Sequence, residues 1–391
     1  CVERLKKLFA NPNDLFTIKV YFKLKSYDNN DLKFRPLHTA RLIDLICMVS
    51  ILIPLMYDDD YKGGKRSLSD LSKLLPHNFY GNVPSTNIQY LFHKWQTTYK
   101  EYTDNVIEHC RAYQRNHNYL TEVSLDIKNF FPSISPRLLY NYISDKLSLT
   151  YKDDLCTLKT AIVKLLFFNI EKENIEPWRE SYYPKDFKAK DDKTYMNCGI
   201  PQGLPQSYFF GNLCMIEIKN ILMKEECFEG DAYFYVDDSV IYIQATLKEN
   251  EFNDRIRKLN EEVVEWCRDS EKHSSDIDEY VPTRYLDFHK GINYEIAFHE
   301  EGKSVFTPID SADTQYGSIG DLAREVSMTS NLTWNLDEID DHVSLEKLMA
   351  LDEIISNEIK ELKNHAQKDR DKKIFVSSRL KILRRFKEFF L

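Results

Sequence analysis

The stretch that most constrains this chain is Tyr233-Phe-Tyr-Val-Asp-Asp-Ser-Val-Ile-Tyr242. Apolar residues run up to two adjacent carboxylates and resume straight after them. The pattern predicts two β-strands joined by a tight turn, with Asp237 and Asp238 at its tip. Neighbouring carboxylates repel, and burying each costs several kcal/mol unless something neutralises it. A divalent cation is one neutraliser. A solvated Asp-Asp turn is the simpler reading, since Asp is a common turn residue. Taken alone the turn favours the simpler reading, and two upstream stretches overturn it.

The first is Thr121-Glu-Val-Ser-Leu-Asp-Ile-Lys-Asn-Phe-Phe-Pro132. Val123 and Leu125 alternate with polar residues, which predicts a half-buried strand ending at Asp126. Ser135-Pro136 then supplies an N-cap and a first-turn proline for a helix over Arg137–Leu147. The second is Gly199-Ile-Pro-Gln-Gly-Leu-Pro-Gln-Ser-Tyr-Phe-Phe-Gly-Asn212, followed by a helical pattern from Phe209 to Met223. Two glycines and two prolines within seven residues impose a specific turn. A glycine-containing loop feeding a helix presents backbone N–H groups to an anion such as a phosphate. The spacing matches neither the Walker pattern nor the dinucleotide fingerprint.

A strand-end Asp, a Pro/Gly loop before a helix and an Asp-Asp hairpin, in that order, are what two-metal phosphoryl transfer requires. Carboxylates hold two divalent ions roughly 4 Å apart, and these serve the attacking and leaving oxygens. Mg²⁺, or Mn²⁺ in its place, is held by a few carboxylates plus substrate phosphates. The expected ligands are Asp126, Asp237 and the backbone carbonyl of Ile127, with Asp238 in support.

The remaining sequence bounds the context. The chain has 391 residues, 42% of them hydrophobic, enough for two or three domains. The longest apolar run, Leu45 to Tyr57, is too short to span a bilayer and predicts a buried helix, so no membrane association is expected. Eight scattered cysteines form no Cys-x-x-Cys pair, which argues against a zinc knuckle or a disulfide framework and for reduced cytosolic thiols. The chain begins with Cys1 rather than Met, so further residues are expected to precede it. Net charge is −9, yet residues 361–391 carry ten Lys/Arg against four Asp/Glu. That basic end is able to follow a phosphate backbone. Residues 1–57 read as mixed helix and loop, Tyr57–Lys65 as a polar loop, 150–170 as a helix and 171–197 as a polar insertion. Phe252 to Cys267 predicts a long amphipathic helix. Ile292–Phe298 and Ser304–Ile309 read as a hairpin across Glu300–Lys303. Residues 340–364 and 374–391 read as two helices.

With these blocks in place the chain resembles reverse transcriptases over roughly residues 120–310. Leu125–Ile134 is similar to their motif A, Gly199–Asn212 to motif B, and Tyr233–Tyr242 to motif C. Lys303 within Glu300–Phe306 is similar to motif D. The resemblance implies an α+β right-hand polymerase with an antiparallel-sheet palm, fingers and a helical thumb. The implied regions are residues 1–120 with part of the fingers, 121–310 as palm with a finger insertion at about 150–198, and 311–391 as a thumb-like region. Phe131, five residues after Asp126, matches the aromatic gate that rejects a ribose 2′-OH. Gln202 and Gly203 match the pair that lines the incoming nucleotide. Lys303 matches a general acid for the leaving pyrophosphate, with a simple turn lysine as the other reading. Arg111 and Arg115, just before motif A, are candidates to grip the triphosphate.

Ser207 is followed by Tyr208 where retroviral and intron enzymes have proline. Gly-Ile-Pro-Gln-Gly-Leu-Pro-Gln-Ser207 resembles instead the bacterial abortive-infection and defence-associated reverse transcriptases. That group implies cytoplasmic DNA synthesis from dNTPs in antiphage defence, primed from protein, untemplated or linked to a noncoding RNA, and self-assembly into oligomers or with a partner protein. The other readings are a conventional RNA-templated enzyme of retron or mobile-element type and a nucleic-acid-binding scaffold without synthesis. Phe131 argues against an RNA-making polymerase, which needs room for the 2′-OH.

Overall fold

The computed structural model describes residues 1–28, 31–115, 120–150, 155–185, 187, 195–272, 276–300 and 303–309. The chain divides into two units. One comprises residues 1–25 and 34–311, the other residues 26–33 and 312–391. The expected helices over 340–364 and 374–391 lie outside the described residues.

The first unit begins with α1 (Val2–Ala10), followed by strands β1 (Thr17–Asp28) and β2 (Asp31–Thr39). Residues 17–28 and 31–39 are therefore strand where the sequence reading placed helix and loop. Ile18 and Val20 are buried while Lys19, Tyr21 and Lys23 are not, a period of two. Helix α2 (Leu42–Met56) buries Cys47, Met48, Ile51, Leu52, Leu55 and Met56, so the apolar run is a core helix as expected. The polar segment after it is a hairpin rather than a loop: β3 (Tyr57–Lys62) pairs antiparallel with β4 (Lys65–Leu68). Gly63 and Gly64 form its two-residue turn with φ of +58° and +76°, the pair of positive values that such turns demand. Short helix α3 (Asp70–Lys73) and long helix α4 (Trp95–Arg115) lead to β5 (Leu120–Asp126).

After β5 come α5 (Phe130–Ser133), α6 (Pro136–Thr150) and α7 (Leu155–Leu166). Ser135 and Pro136 start α6 as predicted, with Leu138 N–H donating to Ser135 Oγ at 3.4 Å. Strand β6 (Asn169–Ile170) runs parallel to β1 and completes a sheet ordered β2–β1–β6. Short helices α8 (Lys172–Ile175) and α9 (Arg179–Tyr182) follow. Helix α10 (Pro205–Leu222) starts four residues before the predicted Phe209, because Pro205 pre-sets the first turn. It buries 13 residues and runs through the core.

Strands β7 (Asp231–Tyr235) and β8 (Asp238–Ile243) lead to α11 (Glu249–Lys272), α12 (Ile277–Tyr280), α13 (Thr283–Lys290) and β9 (Val305–Ile309). The second sheet has the order β7–β8–β5–β9, antiparallel throughout. Here the expected hairpin of 292–298 with 304–309 is corrected. β9 pairs with β5, and the 292–298 segment contributes an isolated bridge between Phe298 and Ile127. Two nearby apolar runs looked like partners, but pairing between distant strands leaves no local trace in the sequence.

This sheet has two unlike faces. Val123 and Leu125 on one face of β5, and Ile127 just beyond its end, are buried among the core side chains. Directly opposite residues share a face, so the other face carries Glu122 with Tyr242, Ser124 with Val240, and Asp126 with Asp238. Helix α4 covers part of that second face. Tyr99 meets Tyr235 edge-on at 4.9 Å, and the His109 ring stacks on Tyr242 at 5.2 Å. The architecture is α+β, with an antiparallel palm-like sheet backed by helices. Among the described residues no helix is long and apolar enough to cross a membrane.

Candidate active site

The pairing of Tyr235 with Asp238 leaves Val236 and Asp237 as a two-residue turn between β7 and β8. The turn sits where the sequence placed it, with Asp237 inside it and Asp238 as the first residue of β8. Val236 adopts φ of +59°. A β-branched residue in the left-handed region is strained by about 1–3 kcal/mol and persists only where its surroundings over-determine it. Those surroundings are the segment 78–82 along the edge of β7. Tyr80 N–H donates to Phe234 O at 2.9 Å, Phe234 N–H to Asn78 O at 2.9 Å, and Asn78 Nδ2 to Ala232 O at 2.7 Å. A Cβ at Gly81 would lie 2.5 Å from Val236 Cγ2 and 2.7 Å from Val236 N, so glycine lets the segment press directly against the turn. Asn212 of α10, fully buried, fixes the segment from below through Nδ2 to Gly81 O at 2.7 Å and to Asn82 O at 3.2 Å.

Asp126 lies opposite Asp238 across the β5–β8 pair, which places the two Cβ atoms about 4.5–5.5 Å apart. The Asp126 carboxylate accepts a hydrogen bond from Lys303 Nζ and lies 3.4 Å from His299 Nε2. Lys303, singled out in the sequence, is thus at the carboxylates, and His299 joins it unforeseen. His299 N–H donates to Asp126 O at 3.0 Å and Lys128 N–H to Ala297 O at 2.8 Å, so the Ile127 carbonyl takes no part in these two bonds. Among the described residues no group of three or more His, Cys, Asp or Glu side chains forms a metal cage. The donor set that is present fits a hard divalent ion held by few carboxylates and completed by a triphosphate. Compensation of Asp126 by a lysine marks a position that attracts positive charge. Asp126, Asp237, Asp238 and the Ile127 carbonyl are the groups able to hold such an ion.

Phe131 is buried beside this site, meeting Tyr208 of α10 edge-on at 6.0 Å and Phe130 at 5.3 Å. The glycine loop is bound to it. Ile200 N–H donates to Phe131 O at 3.0 Å. Gly199, at φ of +62°, has no room for a Cβ against the Phe131 carbonyl and the Pro132 carbonyl at 2.5 Å. The loop is also laced by buried polar side chains. Asn197 accepts from Phe168 N–H at 2.9 Å and donates to Leu166 O at 3.0 Å and Gly199 O at 2.6 Å. Tyr183 Oη donates to Met196 O at 2.6 Å, and Tyr294 Oη accepts from Gly199 N–H at 3.3 Å. His38 of β2 reaches the carbonyl of Gln202, which is half-buried, and Gly203 is exposed beside it. Burial pulls the His38 imidazole down to about 4 and pushes the Cys198 thiol up to about 12. His38 is therefore neutral at physiological pH.

The structure brings Asp126, Ile127, Asp237, Asp238 and Lys303 together at one end of the sheet. Phe131, Gln202 and Gly203 sit on the adjoining loop system. The side chains of Arg111 and Arg115 lie outside the described residues. The two residues follow His109 in the final turns of α4, and His109 contacts Asp231 and Tyr242, four residues along β8 from Asp238. Gly81, Asn197 and His38 escaped the sequence reading, and Asn212 entered it only as the end of the glycine-loop stretch. Each acts through a contact between distant segments, and a single Asn, Gly or His carries no local periodic signal.

No curated relative matches the chain. The family model for reverse transcriptase (RNA-dependent DNA polymerase) matches residues 65–274, more than half of the sequence. That span takes in β5, the glycine loop, α10 and the carboxylate turn, and on this match the chain belongs to the reverse transcriptase family.

Proposed function

We propose that this protein is a DNA polymerase that adds deoxynucleotides by two-metal phosphoryl transfer and serves antiphage defence of the abortive-infection kind. The observation that carries the chemistry is the cross-strand pair Asp126 and Asp238 beside the strained turn holding Asp237. Mg²⁺ bound there supplies charge neutralisation to the attacking and leaving oxygens. The chain's own residues do the rest. Asp126 and Asp237 hold the ions with the Ile127 carbonyl, and Asp238 supports them. Phe131 sits beneath the sugar and excludes a 2′-OH. Gln202 and Gly203 line the nucleotide. Lys303, already at Asp126, donates the proton to pyrophosphate. In this reading the β2–β1–β6 sheet forms part of the fingers, residues 121–310 the palm with a finger insertion at about 150–198 that carries β6, and 311–391 the thumb. Arg111 and Arg115 grip the triphosphate.

The defence setting rests on the Gly199–Ser207 loop and on Tyr208 in place of proline. Tyr208 packs against both Phe131 and Phe92 and so builds the wall of the nucleotide site in a way proline would not. The test is synthesis by purified protein with Mg²⁺ and dNTPs, without template or primer, beside an Asp237→Ala control. Product that depends on Asp237 and shifts on protease treatment supports protein-primed defence synthesis. Product that requires added RNA and primer refutes the defence reading and supports a conventional templated enzyme. Binding of RNA with no incorporation under any condition refutes the polymerase reading itself.

A further inference from the structure

His38 lies in β2, far in sequence from every block that the polymerase reading uses, and both of its ring nitrogens are engaged. Nδ1 is 3.0 Å from the Gln202 carbonyl, and Nε2 is 2.8 Å from Tyr182 Oη. A carbonyl only accepts, so Nδ1 carries the proton and donates. The neutral ring then accepts at Nε2 from the Tyr182 hydroxyl. Tyr182 Oη in turn accepts from Cys198 N–H at 3.2 Å. The bonds run in one direction: Cys198 N–H to Tyr182, Tyr182 O–H to His38, His38 N–H to Gln202 O. Both ends of this chain are on the same glycine loop. His38 backbone N–H donates to the same Gln202 carbonyl at 2.8 Å. Gly203, at φ of +107°, closes the contact, since a Cβ there would lie 2.9 Å from His38 O.

The groups are dry. His38 is 5% exposed, Tyr182 7% and Cys198 5%. Buried hydrogen-bond chains of this kind rigidify what they join when every member is satisfied. The ring also meets the Tyr182 ring edge-on, centroids 5.7 Å apart. Gln202 and Gly203 are held at the backbone while their outward side remains open to solvent. That is the requirement for a residue presented to a ligand from a rigid support.

We propose that His38 is a positioning residue for the nucleotide site: through Tyr182 and the Gln202 carbonyl it braces the 198–203 loop against the three-stranded sheet and so sets affinity for the incoming dNTP. The inference rests on the polymerase reading for the identity of the ligand, and on the hydrogen bonds alone for the brace.

Two readouts separate those parts. Hydrogen exchange by mass spectrometry reads the brace. In His38→Phe, which keeps a ring and loses both polar contacts, peptides spanning 198–203 exchange faster while those of the β7–β8 hairpin do not. Steady-state incorporation reads the consequence. KM for dNTP rises about five- to tenfold, the scale of one net hydrogen bond, with kcat within about twofold. His38→Asn retains a donor near the Nδ1 position and recovers part of the loss. Tyr182→Phe gives a smaller rise in KM that does not add to that of His38→Phe, because the two share one chain. If His38→Phe fails to fold, Tyr182→Phe with the same two readouts decides. Unchanged exchange in 198–203 overturns the brace. Faster exchange with unchanged KM overturns the positioning role. Wild-type protein that incorporates no dNTP sinks the polymerase reading instead, and exchange still decides the brace.

Discussion

A single methyl group at Gly81 should disable the site without unfolding the protein. The added Cβ would stand 2.5 Å from Val236 Cγ2, 2.7 Å from Val236 N and 3.2 Å from Tyr235 C. Ordinary carbon contacts lie at about 3.5–4.0 Å, so something must give by about 1 Å. A rotamer change relieves the Cγ2 contact but not the one to backbone nitrogen. The 78–82 segment cannot readily retreat, being tied to β7 by Tyr80 and Asn78 and to α10 by Asn212. The turn, already strained at Val236, is the softer partner, and it carries Asp237 with Asp238 next to it. A misplacement of about 1 Å at a catalytic group costs on the order of 100-fold, or about 2.7 kcal/mol of barrier. The assay is single-nucleotide incorporation with Mg²⁺, with thermal unfolding measured alongside. Gly63→Ala is the control. Its φ of +58° strains an alanine locally, a backbone cost that Gly81 does not carry, but no atom lies within 4 Å of the added methyl. The reasoning predicts a loss of about 100-fold in kcat for Gly81→Ala and none for Gly63→Ala. Wild-type kcat in folded Gly81→Ala would refute it, as would a loss shared equally by both variants.

Further outcomes follow from the same geometry. Phe131→Ala should raise incorporation of ribonucleotides relative to deoxynucleotides, and unchanged discrimination in a competition assay would remove Phe131 from the gate. Asn197→Ala strands the Phe168 N–H and the carbonyls of Leu166 and Gly199, so denaturant unfolding should show a loss of about 3 kcal/mol; a loss under about 1 kcal/mol would mean these groups find other partners. His38 and His289 are pulled by burial to about 4 and about 3. The unfolded chain therefore binds protons below about 6.5 that the native state refuses. Stability is fully present above that value and falls as pH drops toward the folded values, at about 1.4 kcal/mol per unit for each histidine. Urea midpoints flat from pH 7 to 5 would contradict this. Cys198, held up at about 12 and buried, should resist alkylation at pH 8 while the exposed Cys1 and Cys156 react, as read by mass spectrometry of labelled peptides.

The parts of this fold that were legible in sequence are those with a local cause. Apolar residues of period two bracketing Asp237 and Asp238 specify a hairpin, and its tip cannot be elsewhere. Pro136 marks a helix start because its φ is fixed; Pro205 does the same for α10, although the sequence reading began that helix at Phe209. The β1 strand carries a local signal in the alternation of Ile18 and Val20 with Lys19 and Tyr21, yet residues 1–57 read as mixed helix and loop. The β3–β4 hairpin is polar on both faces and betrayed itself only through Gly63-Gly64. What remained hidden is non-local. The partner of β9 is β5, nearly two hundred residues away. The reason for a glycine at 81 is the turn at 236, and the reason for a histidine at 38 is a carbonyl at 202. Lys164 is a further case: it lies within the apolar run of α7, fully buried, and donates to the carbonyls of Asn11, Pro12 and Asp14. No window of sequence contains both sides of such contacts.

The central claim is that the carboxylates gathered by β5 and the β7–β8 turn carry out nucleotidyl transfer. Its most direct test is dNTP incorporation in Mg²⁺ by wild type, Asp126→Asn and Asp237→Asn, each shown to be folded by thermal unfolding and circular dichroism. These substitutions keep shape and remove one charge apiece. The account predicts a loss of at least about 1,000-fold in each variant, roughly 4 kcal/mol of barrier, with melting temperatures near that of wild type. Incorporation at the wild-type rate by either folded variant would contradict it.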